Sequence, residues 1–462
     1  MDAFSSGDTA WMLASTALVL LMTPGLALFY GGMVRSKGVL NMMMMSFSAM
    51  GLVGVLWVLY GYSMAFADDV GGGLLGNPFE NFGLSGLFVG NYLATDEAPD
   101  VTFPLVGSIP ALVFVGFQAT FAIITVALIS GAVADRMRFG PWLLFAGLWA
   151  TIVYFPVAHW VFDFDEVSSA TGGWIANSLV AIDFAGGTAV HINAGAAALA
   201  LALVIGKRRG WPREPMRPHN LTLVMLGAGL LWFGWFGFNA GSAVGASGIA
   251  GYALVTTLTA TCAAMLAWLV TERIRDGKPT SLGAASGIVA GLVAITPSCS
   301  SVSPLGALVV GICAGVLCAL AVGLKFKFGY DDSLDVVGVH LVGGLTGTLL
   351  VGFLADPGSP AAVSGLFYGG GVDQLWRQAV GAFAVLIYSF VLSLVLAYIV
   401  KAIMGLRVTD EEESAGIDET EHAETGYDFS SHRSLAGIGS SRPAASAPAP
   451  AEQVPATAGK ES

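Results

Sequence analysis

The stretch that decides the architecture runs from Asp183 to Arg209 and reads DFAGGTAVHINAGAAALALALVIGKRR. Between Phe184 and Gly206 its only ionisable side chain is His191, and the run stops at the basic residues Lys207, Arg208 and Arg209. Those 23 residues would extend about 34 Å as a helix, enough to cross a hydrocarbon core of about 30 Å. An ionisable group at that depth is expensive, by about 2.5 to 3.5 kcal/mol for a full charge, so His191 needs a reason to be there. A second run repeats the anomaly, with His340 in GVHLVGG beside AVHINAG around His191. An acid precedes each, Asp183 in the first and Asp335 in the second.

The rest of the chain has the same character. It is 55% hydrophobic and 11% charged, against roughly 25% charged for a soluble globular domain. Apolar runs fall at about 9–33, 39–67, 104–130, 141–161, 184–206, 220–242, 251–271, 281–298, 304–324, 334–355 and 375–403, which predicts an all-α membrane protein with eleven transmembrane helices. The 61 glycines fit close packing of helices in lipid through small residues. Basic residues cluster after the odd-numbered runs (Arg35, Lys37, Arg136, Arg138, Lys207 to Arg217, Arg273, Arg275, Lys278, Lys325, Lys327, Lys401, Arg407). Acids occupy the opposite loops (Asp68, Asp69, Glu80, Asp96, Glu97, Asp100, Asp163, Asp165, Glu166), with Arg377 the one base among them. By the excess of positive charge in cytoplasmic loops, the N-terminus is outside and the C-terminus inside. The fifth and tenth runs then cross in opposite directions, and a five-plus-five inverted repeat would place a shared site near the midplane.

The N-terminus, MDAFSSGDTAWML, lacks a basic region ahead of its first apolar run, so that run is expected to be a retained span. Beyond Gly405 the chain turns acidic (TDEEESAGIDETEHAETGYDF) and then Ser/Ala/Pro-rich. This divides it into a membrane domain, 1–404, a tail, 405–429, and an end expected to be disordered, 430–462. Cys262, Cys299, Cys313 and Cys318 lack zinc-site spacing and read as packing residues. Two histidines without a nearby cysteine or inward carboxylate fall short of a metal site, and no cofactor is expected. Each histidine could instead pack singly against a neighbouring helix, but that leaves the mirrored contexts unexplained. No Ser/His/Asp order or phosphate loop points to an enzyme.

A second constellation is LWFGWFGFNAGSA in the sixth run, with Trp232, Trp235, Phe236, Phe238, Asn239 and Ser242. Phenyl rings facing a lumen make a dry constriction, while a hydroxyl and ring faces at its outer end suit a cation. An aromatic belt at the interface would account for one or two of these rings, and not for the small residues between them.

At these residues the sequence closely resembles the ammonium transporter family of Amt, Mep and Rh proteins, bacterial Amt type. The motifs are DFAGGTAVHIN (Asp183 to Asn193), GWFGFNAGSA (Gly234 to Ala243), DDSLDVVGVH (Asp331 to His340), TPGLALFYGG (Thr23 to Gly32) and GFQATFAIIT (Gly116 to Thr125), in order to about Tyr427. The resemblance implies pore histidines at His191 and His340 and a phenylalanine gate at Phe121 and Phe238. It implies ammonium recruitment at Ser242 with Trp235 in support, and a structural carboxylate, Asp183, below that site. Where the family has an outer-vestibule Trp, this chain has Phe162 in AHWVF, followed by an inserted DFDEVSSAT. Phe is the weaker cation-π partner, so the outer site is expected either to be weaker or to be completed by Trp160 or Trp174. The resemblance further implies a homotrimer in the cell membrane and a cytoplasmic tail working with a PII-type regulatory protein.

The expected function is ammonium transport: recruitment of external ammonium, deprotonation near the phenylalanines, and passage of ammonia past the histidines, with separate transfer of the proton. An ammonium sensor acting through a PII-like partner, and an Rh-like pore for neutral gas, are the rival expectations.

Overall fold

The computed structural model describes residues 4–92 and 102–427. The expected disordered end, 430–462, and the loop acids Asp96, Glu97 and Asp100 lie outside the described residues. Ten helices among those described are long and apolar enough to cross a membrane. In chain order they begin with α1 (Ser6–Met33), α2 (Val39–Phe66), α3 (Ala111–Val133), α4 (Phe139–Phe162), α5 (Gly187–Ile205), α6 (Leu221–Gly241) and α7 (Gly248–Arg275). A shorter apolar helix, α8 (Ser281–Ile295), follows, and then α9 (Pro304–Phe328), α10 (Val337–Leu354) and α11 (Asp373–Met404) complete the bundle. The run expected over 281–298 is therefore helical only to Ile295. Its 15 residues reach about 22 Å, and the chain turns at Pro297, which has no N–H to continue a helix. Enclosed by α6, α7, α9 and α10, α8 is buried along most of its length.

Side-chain caps start several of these helices where hydropathy alone would leave the boundary open. Ser5, Asn220, Ser247, Thr280 and Ser303 each accept a backbone N–H from the first turn of α1, α6, α7, α8 and α9. Between helices, small residues set the spacing. A Cβ on Gly227 of α6 would lie 2.4 Å from the backbone nitrogen of Phe29 on α1, and one on Gly32 of α1 would lie 2.6 Å from the Asn220 carbonyl. The first helix of the chain thus lies backbone against backbone on the sixth, an approach driven by van der Waals contact where lipid supplies no hydrophobic force between helices.

The loops sort onto two faces. On one, Arg208 after α5 grips Asp331 before α10 through its Nη2 (2.8 Å), Nε (3.0 Å) and backbone nitrogen (2.8 Å). Asp135 after α3 lies 3.5 Å from Arg208 and 3.4 Å from Arg35, which follows α1. The tail closes this basic face. It forms two short helices, α12 (Asp410–Ala415) and α13 (Ile417–His422). The buried Glu413 carboxylate takes Arg407 (2.7 Å) and Arg35 (3.3 Å). Asp418 caps α2 by accepting the N–H groups of Leu40 (3.1 Å) and Asn41 (2.8 Å). On the acidic face, a two-stranded hairpin, β1 (Leu105–Val106) and β2 (Ile109–Pro110), precedes α3.

Burial raises the Asp331 carboxyl, but the Arg208 and Arg136 guanidiniums and the hydrogen bonds prevail and hold it below the ordinary carboxylate range. A depressed carboxyl contributes stability above its unfolded value, near 3.9, and that contribution is lost as pH falls through the folded value. Asp331→Asn leaves the buried Arg208 with only the longer contact to Asp135 and is expected to destabilise the fold, by at most the roughly 3 to 5 kcal/mol of a fully uncompensated buried charge. A thermal-unfolding series on purified protein between pH 3 and 7 would check this. The mutant should unfold at lower temperature at neutral pH, and the gap to wild type should narrow towards the acid end.

Candidate functional site

Two carboxylates build the centre of the molecule. Asp183 spends both oxygens on the start of α5: Oδ1 accepts the N–H groups of Gly186 (2.8 Å) and Gly187 (2.7 Å), and Oδ2 those of Thr188 (2.7 Å) and Ala189 (3.1 Å). These are orphan donors of a helix N-terminus in a place with little water to satisfy them. In α10 the same task falls to Asp332, whose oxygens accept Val336 N (3.1 Å) and Val337 N (2.7 Å). Asp335, the acid expected to match Asp183, instead pairs with Lys325 at 2.6 Å. Spacing carries the correct match, since Asp183 and Asp332 each stand eight residues before their histidine.

Each histidine sits in a π-helical turn, Gly187–Ile192 and Val337–Leu341, followed by α-helix. Such turns are frequent at functional sites because they displace a side chain from the regular helical face. Four residues beyond each histidine stands a glycine against the other helix. A Cβ on Gly195 would lie 2.5 Å from Leu341 N, and one on Gly344 would lie 2.9 Å from the Gly187 carbonyl. α5 begins at the acidic face and α10 at the basic one, so they cross in opposite senses at these glycines. The crossing brings His191 Nδ1 to 3.2 Å from His340 Nδ1. One nitrogen donates and the other accepts, so the two tautomers are tied together. His191 Nε2 is buried and has no hydrogen-bond partner among the described residues.

An aromatic column continues from the pair towards the acidic face. Trp235 lies nearly parallel to His191, with centroids 5.4 Å apart, and Phe238 is 6.1 Å from the same imidazole. Phe121 from α3 stacks on Phe238 at 4.2 Å and 26°, and both rings are buried. Phe162, at the end of α4, meets Phe121 edge-on at 6.3 Å. Ser242 caps α6 near this end, its hydroxyl bonded to the Phe238 carbonyl at 2.8 Å. Trp160 is turned away, its ring 4.6 Å from Tyr388 and its Nε1 on the Leu74 carbonyl at 2.8 Å. Trp174 packs on Trp160 at 5.9 Å. Of the three candidate outer rings, Phe162 is the one in contact with the stacked pair.

Below the phenylalanines the histidines share a lumen with apolar walls, among them Met22, Leu26, Val190, Leu231 and Val289. It leaves about 10 Å³ for the centre of a water-sized molecule, room for about one. The loop after Phe162 folds on Asp163, which accepts from Ser168 and Ser169 and lies 3.1 Å from the buried His159. Burial pushes the Asp163 carboxyl above its ordinary range in spite of these bonds.

Residues that the sequence reading passed over also belong to the site. Phe117 sits edge-on to Phe121 at 4.9 Å. Thr296, in the turn after α8, accepts the Trp235 indole N–H at 2.9 Å and fixes that ring beside His191. No motif marks Thr296 in sequence, because its partner comes from a helix about sixty positions away. Among the described residues no cluster of three or more histidines, cysteines or acids could hold a metal ion.

The Ammonium Transporter Family model matches residues 10–427. The chain belongs to this family. It is 70% identical over 438 residues to an ammonium transporter of Mycobacterium tuberculosis strain H37Rv, covering 93% of this chain and 92% of that one. Among solved structures, Mep2 of Saccharomyces cerevisiae superposes with a TM-score of 0.81 at 34% identity and 92% coverage of both chains. A structure described as a Sensor Amt Protein superposes at 0.80, with 28% identity, over 90% of this chain and 98% of that one. This member of the ammonium transporter family is a multi-pass protein of the cell membrane.

The caps give a direct test. Asp183→Ala leaves four N–H groups without an acceptor, each worth about 1 to 3 kcal/mol when left unpaired. It should abolish accumulation of folded protein, whereas Asp183→Asn, which keeps an acceptor oxygen, should accumulate at a reduced level. Quantitative gel filtration of detergent-solubilised protein reads the difference.

Proposed function

We propose that this chain is an ammonium transporter that strips a proton from external ammonium and conducts ammonia past His191 and His340. The observation that carries the reading is the hydrogen-bonded imidazole pair in an apolar lumen sized for one small molecule, behind a stacked phenylalanine pair. Ring faces at Phe162 and Phe121, with the Ser242 hydroxyl, recruit the cation, while Trp235, expected to support that site, stands beside His191 and lines the lumen behind the stacked pair. Asp183 supports that region through its cap, since its oxygens are occupied by backbone.

Magnitudes require the deprotonation. A desolvated cation-π contact contributes about 2 kcal/mol, against an idealised cost of order 20 kcal/mol for taking a small ion into low dielectric. Ammonia escapes most of that cost and meets imidazole nitrogens as donor or acceptor. In the neutral pair one Nδ1 holds the shared proton, so one Nε2 carries a proton and the other a lone pair. A proton arriving at the lone pair is passed by exchange across the Nδ1 bond and released at the far Nε2, a relay to which imidazole is suited. Potassium has no proton to give up and is excluded.

The same reading takes α8 as a short eleventh crossing and places the N-terminus outside and the tail in the cytoplasm. Chain segments α1 to α5 and α6 to α10 form the inverted repeat, supported by the equal Asp-to-His and His-to-Gly spacings and the opposite senses of α5 and α10. A homotrimer, and a PII-type protein at the basic face, are its proposed partners. A sensor acting through such a partner is the second reading, favoured by the likeness to the Sensor Amt Protein.

In liposomes on a solid-supported membrane, ammonium pulses should give a current and potassium pulses none. His191→Ala and His340→Ala should each lower the ammonium current about 10²-fold, the lower range for a lost acid–base group. Unchanged current with intact potassium exclusion would sink the relay. Ser242→Leu should raise half-saturation about tenfold, as expected from losing one hydrogen bond to a charged group. Binding without flux in purified protein would favour the sensor.

A further inference from the structure

The loops that carry the capping carboxylates are themselves held, each by a buried polar side chain bonded to residues beside the carboxylate. On the acidic face that residue is Gln378 of α11, which has no exposed surface. Its Oε1 accepts from Ile182 N (2.6 Å) and from Gln374 Nε2 (3.0 Å), and its Nε2 donates to Ile182 O (2.7 Å) and Thr348 O (3.2 Å). Ile182 adjoins Asp183, the cap of the His191 helix. Thr348 lies on α10, the His340 helix. One amide therefore ties the cap of one histidine helix to the body of the other.

On the basic face Arg136 does the same in mirror image. Its buried guanidinium donates to Asp331 O (2.6 Å) and Ser333 Oγ (2.6 Å), the neighbours of Asp332 on either side. Its Nε donates to the carbonyl of Gly206 (2.8 Å), where α5 ends. Again a single side chain spans the cap of one histidine helix and the end of the other.

Both cap loops need such a grip. Val180, three residues before Asp183, has φ +54°, and Asp335, three residues after Asp332, has φ +62°. Left-handed backbone of this kind costs of order 1 to 3 kcal/mol for a non-glycine residue and persists only where surrounding contacts over-determine it. Arg377 adds to the hold on the first loop with a bond to the Leu179 carbonyl at 2.8 Å.

We infer that Gln378 and Arg136 are positioning residues for conduction: acting through Asp183 and Asp332, they fix how far the histidine helices slide on one another, and with it the imidazole pairing. The inference rests on the conduction path proposed above. A purely structural role would change the amount of folded protein and leave the rate per molecule and the selectivity alone.

The test uses the full chain in liposomes, with current normalised to folded protein measured by gel filtration. Gln378→Leu removes all four bonds at near-constant volume. Its maximal ammonium rate should fall about tenfold or more, since a misplacement of about 1 Å is worth up to about 10²-fold. Half-saturation should stay near the wild-type value, because Ser242 and the rings are untouched, and potassium current should appear. Arg136→Gln should behave alike from the other face, while Tyr60→Phe, which breaks a remote bond to Thr151, should match wild type. If Gln378→Leu does not accumulate, Gln378→Glu, which keeps the acceptor and loses the donors to Ile182 O and Thr348 O, is measured in its place. A wild-type rate and full potassium exclusion in the Gln378 variant measured would overturn the inference. Absence of current in wild type would instead remove the reading beneath it.

Discussion

The hydrogen bond between His191 and His340 is the interaction on which the rest of the molecule depends. Two imidazoles at membrane depth would each be a polar group left without water, and each satisfies part of the other's need across 3.2 Å. That distance is available only because Gly195 and Gly344 let the two helices cross with backbone against backbone. It is directed only because π-helical turns swing both side chains to the crossing. Those turns begin in irregular backbone, which is tolerated at this depth when its N–H groups are satisfied from within the protein, and Asp183 and Asp332 supply the acceptors. The chain of dependence runs outward from two ring nitrogens to carboxylates, to strained loops, and to the side chains that hold those loops.

Much of this hierarchy was legible in the sequence, and the part that was not has a physical reason. Apolar runs and loop charges gave the helices and sorted the loops onto two faces, because hydrophobic length and basic residues report directly on a bilayer. His191 and His340 stood out because ionisable groups there are costly. Asp335 is the acid nearer to His340, yet it pairs with Lys325, and Asp332 is the counterpart of Asp183. What matters is the length of backbone between a capping carboxylate and the histidine in the displaced turn, eight residues in both cases. Hydropathy carried the eighth helix past its end because Pro297 and the residues around it are not charged, while the backbone geometry of proline ends the helix.

Other features were invisible for a different reason. Gln378 and Thr296 act through partners from distant helices, and a buried amide or hydroxyl in an apolar run carries no periodicity of its own. The outer ring was a matter of helix phase. Trp160 and Phe162 are two residues apart on α4, so they face different directions, and the rotation of that helix sends the indole to Tyr388 and the phenyl to Phe121. Sequence named the candidates, and only the packing of α4 against α3 and α11 chose between them.

That choice bears on how such a site divides its work. On the proposed path Phe162 offers a cation a smaller and less electron-rich face than an indole, and its direct contact with the stacked pair would join attraction at the rim to occlusion at the gate. The selective step proposed for this chain lies deeper, where the cost of burying an ion exceeds by about tenfold what any single ring returns. In that proposal a weaker rim changes how often ammonium arrives, whereas the lumen decides what continues, because only a species able to leave its charge behind avoids that cost. The proposed path therefore asks less of the ring at Phe162 than of the geometry of the histidine pair.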